Sequence, residues 1–334
     1  MWINNILNKN RKILALSPMA DMTDSPFCQI VREISGPDVV IFREMVSSEA
    51  IVRNSAKTLK MTEFNPKERP IVQQIFGADP LTMAKAAEIV MKHSNPEGID
   101  INMGCPVYKI TSNFNGCALM KDADLAGKII KEMKQAIGDT TLSVKIRLGW
   151  NDPDEFKKFI PVIAKAGADL ITIHGRTKEQ GYGGTSDWKR IGEAKKIVDI
   201  PILANGDIHE PEQVSEALAI TGADGVMIAR GALGNPWFFK LAENFSRHPE
   251  RSIAESKDPL LAISLEERKR IVLKHAKLHT EYYDLRGITT FRKHLAWYFK
   301  TNKIGENLPN LKEWRGRLVR VNSLGELEEL LNEI

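Results

Sequence analysis

The sequence of 334 residues has few cysteines and no long apolar run. Cys28, Cys105 and Cys117 are too few for a disulfide framework, which favours a reducing compartment. No 18 consecutive residues are apolar, so we expect no transmembrane helix, and residues 1–12 lack the apolar run of a secretory signal. These absences predict a cytoplasmic protein without a membrane partner.

Two further motifs are missing. Cysteine and histidine do not cluster at the close spacing of a zinc motif, so we expect no metal site. No Gly-x-Gly-x-x-Gly follows the first β-branched run, which argues against a doubly wound dinucleotide-binding sheet. The composition is otherwise ordinary, with 43% hydrophobic residues and enough chain for one large barrel or two medium domains.

Positive charge is concentrated near the carboxyl end. Residues 264–320 contain 14 Lys and Arg against 6 Asp and Glu, whereas residues 1–263 contain 33 of each sign. A neutral larger part joined to a basic smaller part suggests a catalytic body and an appendage that binds a polyanion. A set of solvated basic helices without such a partner fits the composition equally well.

Short β-branched runs alternate with amphipathic segments through the first 230 residues. The predicted strands are Ile13–Leu16, Val39–Phe42, Ile71–Ile75, Ile99–Asn102, Leu142–Ile146, Leu170–Ile173, Ile202–Ala204 and Gly225–Ile228. The predicted crossover helices are Pro80–His93, Ala123–Ile137, Pro153–Ala166, Trp188–Val198 and Pro211–Thr221, each of the three prolines suiting a first turn. Eight such units predict an α/β fold, the (β/α)8 TIM barrel, with a doubly wound open sheet as the rival.

The strand pattern stops after Pro236. Residues 248–259 are polar and contain two prolines, which is typical of a linker. Helical patterns then cover Leu265–Tyr283, Gly287–Lys300, Pro309–Val319 and Leu324–Asn332. We therefore expect two domains, a catalytic TIM barrel at residues 1–245 and a small all-α domain at residues 246–334.

Polar or reactive residues follow nearly every predicted strand, and a closed barrel gathers its strand ends into one catalytic cup. Cys105 lies in a Gly-Pro turn just past the fourth strand, where a thiol acts as an acid or a nucleophile. A buried structural cysteine is the alternative there. That interpretation is the favoured one for Cys28 and Cys117.

Cationic and glycine-containing strand ends predict a phosphorylated ligand. Lys145 and Arg147 project to one side of the fifth strand, and His174 ends the sixth. A Lys directed into a barrel mouth needs an anionic partner, such as an electron-rich cofactor ring or a phosphate. Asn205–Asp207 and Ala229–Gly231 end the last two strands, where barrels often bind phosphate. This set suggests FMN rather than a dinucleotide, with plain tight turns and a surface Arg as the alternative.

Seven segments, in order and at suitable spacing, resemble the bacterial tRNA-dihydrouridine synthase family. They are Ser17–Asp24, Gln74–Gly77, Asp100–Pro106, Val144–Trp150, Ile173–Thr177, Asn205–Asp207 and Gly231–Trp237. The Asn-x-Gly-Cys-Pro turn combined with the other six is highly specific, and the match covers nearly the whole chain. The segment Arg292–Tyr298 also resembles the family's carboxy-terminal helical region.

The resemblance implies a flavoprotein that uses FMN and NADPH to reduce the C5–C6 double bond of particular uridines in the D-loop region of tRNA. The implied FMN contacts are Pro18, Met19, Ala20, Gln74, Lys145, His174, Asn205, Gly206, Asp207, Ala229 and Arg230. Cys105 is implied as the catalytic acid that protonates uracil C5 after hydride transfer from flavin N5 to C6. Asn102, Arg147 and Gln180 are implied to face the uracil.

Two positions depart from the family's pattern. Ala229 stands where Gly usually precedes the Arg, and phosphate binding is expected to survive because only a backbone N–H is needed. Cys117 stands where the family often has Ser, and we expect a small packing residue. In the basic part, we expect Trp297 and Tyr298 to belong to the core. We also expect a monomer, since the helical part gives the barrel a partner within its own chain.

Two other functions stay open at this point. A flavin barrel reductase or dehydrogenase of a small pyrimidine-like molecule shares the cup but has no use for a basic helical part. A non-catalytic tRNA-binding chaperone is less consistent with the joint presence of Cys105, Lys145 and His174.

Overall fold

Eight parallel strands close into a barrel in the order in which they occur along the chain. The computed structural model describes residues 2–9, 11–247, 263–300 and 308–334. The strands are β1 (Ile13–Leu16), β2 (Val39–Ser47), β3 (Ile71–Phe76), β4 (Gly98–Met103), β5 (Thr141–Gly149), β6 (Leu170–Thr177), β7 (Ile202–Asn205) and β8 (Gly225–Ile228). The predicted TIM barrel is confirmed, because β1 pairs with β8 as well as with β2.

Helices surround the barrel and form a carboxy-terminal bundle. Those of the barrel part are α1 (Trp2–Leu7), α2 (Ser25–Ser35), α3 (Ser48–Val52), α4 (Ala56–Thr62), α5 (Pro80–His93), α6 (Tyr108–Thr111), α7 (Ala123–Ile137), α8 (Phe156–Lys165), α9 (Trp188–Lys195), α10 (Gln213–Thr221) and α11 (Phe238–Arg247). The bundle contains α12 (Leu265–Tyr283), α13 (Gly287–Tyr298), α14 (Leu311–Leu318) and α15 (Leu324–Glu333). The predicted linker at residues 248–259 lies outside the described residues.

Local sequence explains where the barrel helices begin. Pro80 is the first residue of α5, and the Asp79 side chain caps the helix by accepting the Thr82 N–H at 2.8 Å. The first-turn prediction is wrong for Pro153 and Pro211. Each of these two prolines lies in a turn just before its helix, so the helix begins later than predicted.

The barrel is closed at the amino ends of its strands. Apolar residues such as Ile101 and Val144 are buried in the main core between strands and helices. At the amino end, α1 places Trp2 against Phe42, with ring centroids 6.4 Å apart. This plug leaves the carboxyl ends of the strands as the accessible end of the barrel.

The bundle has a core of its own that docks on one side of the barrel. Phe291 of α13 belongs to a cluster that includes Ile30 of α2 and Trp237. Tyr298 is buried, as expected, whereas Trp297 is half-buried and packs against the barrel core. In the described part of the chain, no helix is both long and apolar enough to cross a membrane.

Candidate active site

The carboxyl ends of the strands surround a cavity of about 360 Å³. The predicted residues that line it are Pro18, Met19, Ala20, Gln74, Asn102, Cys105, Lys145, Arg147, His174, Asn205, Gly206, Asp207, Ala229 and Arg230. Gln180 is the predicted site residue that does not line it. The structure therefore brings together the strand-end residues, while their roles stay predictions.

Strand register sets the polar side chains at matching levels of the cup. Arg147 of β5 pairs with His174 of β6, which pairs with Asn205 of β7. One level deeper, Asn102 of β4 pairs with Lys145 of β5. Because neighbouring parallel residues in register point to the same face, these side chains converge on the cavity.

A buried carboxylate lies beneath the cavity and orients two amides. Asp100 Oδ2 accepts a hydrogen bond from Gln74 Nε2 at 2.6 Å, and Asp100 Oδ1 accepts one from Ser143 Oγ at 2.6 Å. Gln74 Oε1 then accepts from Asn102 Nδ2 at 2.8 Å, which turns Asn102 Oδ1 toward the following turn. Burial raises the pKa of Asp100 to about 6, and the two hydrogen bonds oppose that rise.

The Cys105 turn is held from both sides. Asn102 Oδ1 accepts the Cys105 N–H at 2.9 Å and the Gly104 N–H at 3.2 Å. The Cys105 carbonyl accepts the Cys117 N–H at 3.1 Å. Burial raises the pKa of the Cys105 thiol above its ordinary value. The thiol is therefore protonated near neutral pH and is able to act as an acid.

Lys145 lies deep in the cavity wall. Its Nζ donates to Asn205 Oδ1 at 2.9 Å, and Asn205 Nδ2 donates to the Met227 carbonyl at 2.7 Å. Burial lowers the pKa of Lys145 to about 8, with a further decrease from Arg147. The hydrogen-bond partner of this cation is an amide rather than a carboxylate. Such a cation favours an anionic or electron-rich ligand in the cup.

Arg147 connects the Cys105 turn to the loop that follows β6. Its Nε donates to the Gly104 carbonyl at 2.8 Å, and its Nη1 donates to the carbonyls of Thr177 at 3.0 Å and Gly181 at 2.8 Å. Gln180 does not join it at the cavity, because Gln180 Oε1 accepts the Thr177 N–H at 2.7 Å within its own loop. Gln180 therefore lies outside the cavity lining, and its contact with a substrate base stays a prediction.

The imidazole of His174 is neutral and has a defined tautomer. Arg176 Nη1, which only donates, lies 3.2 Å from His174 Nε2, so the ring proton resides on Nδ1. Burial lowers the pKa of His174 well below its ordinary value, and the surrounding cations lower it further. Arg176 Nη2 also donates to Asp207 Oδ2 at 2.6 Å. His174 therefore presents a neutral N–H donor, and Asp207 orients Arg176.

The ends of β7 and β8 form a tightly packed corner of the cavity. Gly206 has φ +114°, and a Cβ there would lie 2.5 Å from Ser186 Oγ and 2.7 Å from His174 Cδ2. Arg230 begins a short 3₁₀ helix and has a side chain that is 40% exposed, with Nη2 3.4 Å from Asp207 Oδ1. This corner offers the Arg230 guanidinium to an anion.

The two departures from the family's pattern are accommodated. Ala229 has φ −105° and ψ −100°, and this negative φ lies outside the left-handed region that favours glycine. Cys117 is fully buried, with Sγ 3.8 Å from the Gly149 carbonyl, and burial raises its pKa to about 12. It is a packing residue, as expected.

Sequence reasoning missed Tyr182. This side chain is 65% exposed at the cavity mouth, where its ring lies 5.6 Å from the Arg147 guanidinium and 5.2 Å from that of Arg230. Its ring centroid is 6.3 Å from that of His174. An aromatic residue in the glycine-rich segment 180–184, just after a strand that ends in the cup, was the available signal.

Comparison with known proteins adds a family to this geometry. A family model described as Dihydrouridine synthase (Dus) matches residues 14–334. "Probable tRNA-dihydrouridine synthase 1" of Synechocystis sp. is 37% identical over 319 residues, which cover 95% of this chain and 84% of that protein. "tRNA-dihydrouridine synthase B" of Pseudomonas putida is 37% identical over 311 residues, which cover 92% of this chain and 86% of that protein.

Solved structures share the barrel at low identity. An old yellow enzyme homologue from Zymomonas mobilis superposes with a TM-score of 0.52 and 13% identity, covering 72% of this chain and 90% of that one. This likeness extends to the fold alone. The family match, in contrast, includes both the barrel and the carboxy-terminal helices. The chain belongs to the dihydrouridine synthase family.

Proposed function

We propose that this chain is a tRNA-dihydrouridine synthase that uses FMN and NADPH to reduce the C5–C6 double bond of uridines in the D-loop region. The observation that carries the proposal is the protonated Cys105 thiol in the wall of a cavity that also contains Lys145 and His174. An acid, a cation and a neutral donor around one open cavity suit reduction of a polarised double bond. Membership of the family supports the same reaction.

The cavity residues fit a flavin mononucleotide. Lys145 offers a cation to an electron-rich ring system. Arg230, whose guanidinium lines the cavity and is 40% exposed, is the proposed phosphate ligand. When bound, the reduced flavin supplies the hydride for uracil C6, and NADPH is the proposed source of its electrons.

Cys105 then completes the reduction as the proposed general acid. Asn102 and Arg147 hold the backbone on the two sides of Gly104, which limits the movement of the thiol. As negative charge develops at C5 and C4=O of the uracil, the Sγ proton passes to C5. Lys145 and Arg147 favour the thiolate that remains until solvent reprotonates it.

The helical bundle is the proposed tRNA-binding part of a two-domain monomer with its boundary at residues 245 and 246. A uridine stacked inside folded tRNA must be extruded to reach the cup, so the rest of the tRNA has to be held in register. Arg286, Arg315 and Arg320 are exposed and make no side-chain ion pair with a described residue, so we assign them to phosphate contacts. The cytoplasm, where tRNA and NADPH are both present, is the proposed location.

The test is the dihydrouridine content of bulk tRNA from a bacterial strain that lacks its own synthases and expresses this chain. Nucleoside mass spectrometry should detect a nucleoside that is two hydrogens heavier than uridine, and its amount should fall sharply with Cys105→Ala at equal protein level. Yellow wild-type protein with no such nucleoside contradicts the proposal and favours a small pyrimidine-like substrate. A colourless protein that still binds tRNA favours a chaperone.

tRNA binding is tested separately by the salt dependence of affinity. Because phosphate contacts release counterions, affinity should fall steeply as salt rises. A flavoprotein that shows no salt-dependent affinity for tRNA contradicts the role assigned to the bundle.

A further inference from the structure

A second group of chemically competent side chains lies away from the cup, where the helical bundle meets the barrel. We call it the junction cluster: Asp24, His275, His279 and His294. Asp24 caps α2 of the barrel part, His275 and His279 lie one turn apart on α12, and His294 lies on α13. All four side chains are buried, with exposures of 1% or less. The cluster therefore joins three helices from both parts of the molecule.

The spacing of the junction cluster suits tetrahedral metal coordination. One ligand atom from each of the four residues lies within 4.8 Å of the others. His279 Nδ1 and Asp24 Oδ2 are 3.4 Å apart. Zinc–nitrogen bonds of about 2.0–2.1 Å in a tetrahedral site place neighbouring ligand atoms roughly 3.4 Å apart. The separation of Asp24 and His279 already has this length, and the remaining separations, all within 4.8 Å, would have to contract on binding.

The hydrogen bonds of the imidazoles leave one nitrogen of each ring without a partner. These are His275 Nε2, His279 Nδ1 and His294 Nε2, all buried. The opposite nitrogens of two rings are held, since His275 Nδ1 lies 3.1 Å from Tyr298 Oη and His279 Nε2 lies 2.9 Å from Thr290 Oγ1. Metal-bound histidines usually have their second nitrogen oriented by such a partner.

Simple packing does not account for this arrangement. The rings of His275 and His294 are 4.5 Å apart at an interplanar angle of 60°, and Phe27 packs beside both. Aromatic packing alone leaves three imidazole nitrogens buried without a partner, whereas the buried Asp24 carboxylate accepts the Phe27 N–H at 3.1 Å and the Tyr283 hydroxyl at 3.1 Å. Burial raises the pKa of Asp24 to about 7, and a bound cation would favour its charged form. Burial lowers the pKa of all three imidazoles, to about 3 for His279, so they are in the neutral form that ligates metals.

We propose that the junction cluster binds one zinc ion with Asp24, His275, His279 and His294 as its four ligands. Three imidazoles and one carboxylate fill a tetrahedral shell, so the site is closed and structural rather than catalytic. Asp24 supplies the negative charge, and the ion joins α2 of the barrel to α12 and α13 of the bundle. The sequence alone predicts no metal site. The histidines that form this one lie on two different helices, and the carboxylate lies some 250 residues earlier in the chain.

The first experiment measures metal in the untagged full-length chain, purified from zinc-supplemented medium without chelator. Inductively coupled plasma mass spectrometry should find about one zinc per chain, and stripping with a strong chelator should lower the thermal midpoint. Adding Zn²⁺ alone should restore the midpoint. Co²⁺ added to the stripped chain should produce the intense visible absorption of tetrahedral coordination.

Matched variants identify the ligands. Asp24→Asn retains an oxygen that accepts the Phe27 N–H and caps α2, but it removes the anionic ligand. His279→Gln removes one imidazole, and both variants should lose the cobalt absorption and at least tenfold in zinc affinity. His93→Gln is the control, because His93 lies on α5 beside Glu63 and is not a member of the cluster. It should bind metal like the wild type.

The wild-type measurements decide the proposal even where a variant folds poorly. A wild-type chain that is purified without zinc, shows no thermal shift with added Zn²⁺ and gives no cobalt absorption contradicts it. Metal binding that persists unchanged in both Asp24→Asn and His279→Gln also contradicts it, since the ion then lies elsewhere.

Discussion

The cup and the junction cluster both contain histidine and aspartate but differ in the hydrogen bonds that their side chains make. In the cup, Asn102 and His174 hydrogen bond to other protein groups while the cavity beside them stays open. In the junction cluster, buried imidazole nitrogens face one another without partners. A reaction site has to admit and release its substrate, so its protein groups are held by one another. A structural site has no such need, and its geometry becomes complete only with a bound ion.

The largest expected effect separates two cysteines that are close in the structure. Cys105→Ala removes the proposed acid and should lower the rate of dihydrouridine formation by about 10²- to 10⁴-fold. The rate of dihydrouridine formation by Cys117→Ala should stay within a few-fold of the wild-type rate, because Cys117 is a buried packing residue. Single-turnover assays with prereduced protein measure both. Equal rates for Cys105→Ala and the wild type would remove the acid from the proposed mechanism.

The next effect concerns the cation of the cup. Lys145→Met should lower flavin retention and slow uridine reduction by about 10²-fold, because an oriented charge is lost. The flavin-to-protein absorbance ratio and the rate of product formation report it. A variant with normal flavin content and turnover would place the functional cation elsewhere.

A pH profile sharpens the role of Lys145. The folded-state pKa of Lys145 is lowered to about 8, so the cation is present below that pH and is lost as pH rises through it. Activity should therefore fall above about pH 8, before the Cys105 thiol, whose pKa is raised by burial, loses its proton. Lys145→Arg keeps a cation at higher pH and should move the alkaline limb upward. An unchanged limb in Lys145→Arg assigns it to another group.

A smaller expected effect distinguishes displacement of the Cys105 turn from backbone strain elsewhere in the chain. Gly116 and Gly138 have positive φ values of +60° and +58°, so Ala strains the backbone at both positions. A Cβ at Gly116 would lie 2.9 Å from the Cys105 carbonyl oxygen, whereas the space at Gly138 is open. Gly116→Ala should lower turnover by roughly 10- to 100-fold through displacement of the thiol, and Gly138→Ala should not. Equal turnover in both variants would show that the turn tolerates displacement.

The smallest expected effect is a loss of stability at Tyr298, which contacts the junction cluster. Tyr298→Phe removes the hydroxyl that lies 3.1 Å from His275 Nδ1 and should lower the free energy of unfolding by about 1 kcal/mol. Turnover should not change, since Tyr298 lies outside the cup. Urea unfolding measures the loss, with Tyr108→Phe as a control because Tyr108 is 83% exposed. A fall in turnover without a loss of stability would link the junction to the chemistry.

The bounds of a helix were predictable from the sequence where the apolar periodicity and the capping residues mark the same ends. The helices α5, α7 and α12 have their predicted bounds, because caps and an apolar stripe mark both ends. The strands β2, β5 and β6 extend past their predicted ends to Ser47, Gly149 and Thr177. Polar residues such as Arg43, Arg147 and His174 continue these strands, and a search for apolar runs stops at the first polar residue.

The site was predictable at strand ends but not in loops or between helices. Barrel topology places Lys145, His174 and Asn205 in the cup independently of the loop conformations. The positions of Gln180 and Tyr182 depend on tertiary hydrogen bonds, such as those from Arg147 to the loop, which sequence spacing does not encode. The junction cluster had only the His-x₃-His spacing on α12 as a signal.

The most direct test of the central claim is an anaerobic stoichiometry. Purified chain with prereduced flavin is mixed with tRNA from a strain that lacks dihydrouridine, and flavin oxidation and dihydrouridine are quantified in the same sample. We predict one dihydrouridine for each flavin oxidised. Flavin that stays reduced with tRNA but is oxidised by a free pyrimidine would contradict the assignment of the cup to tRNA.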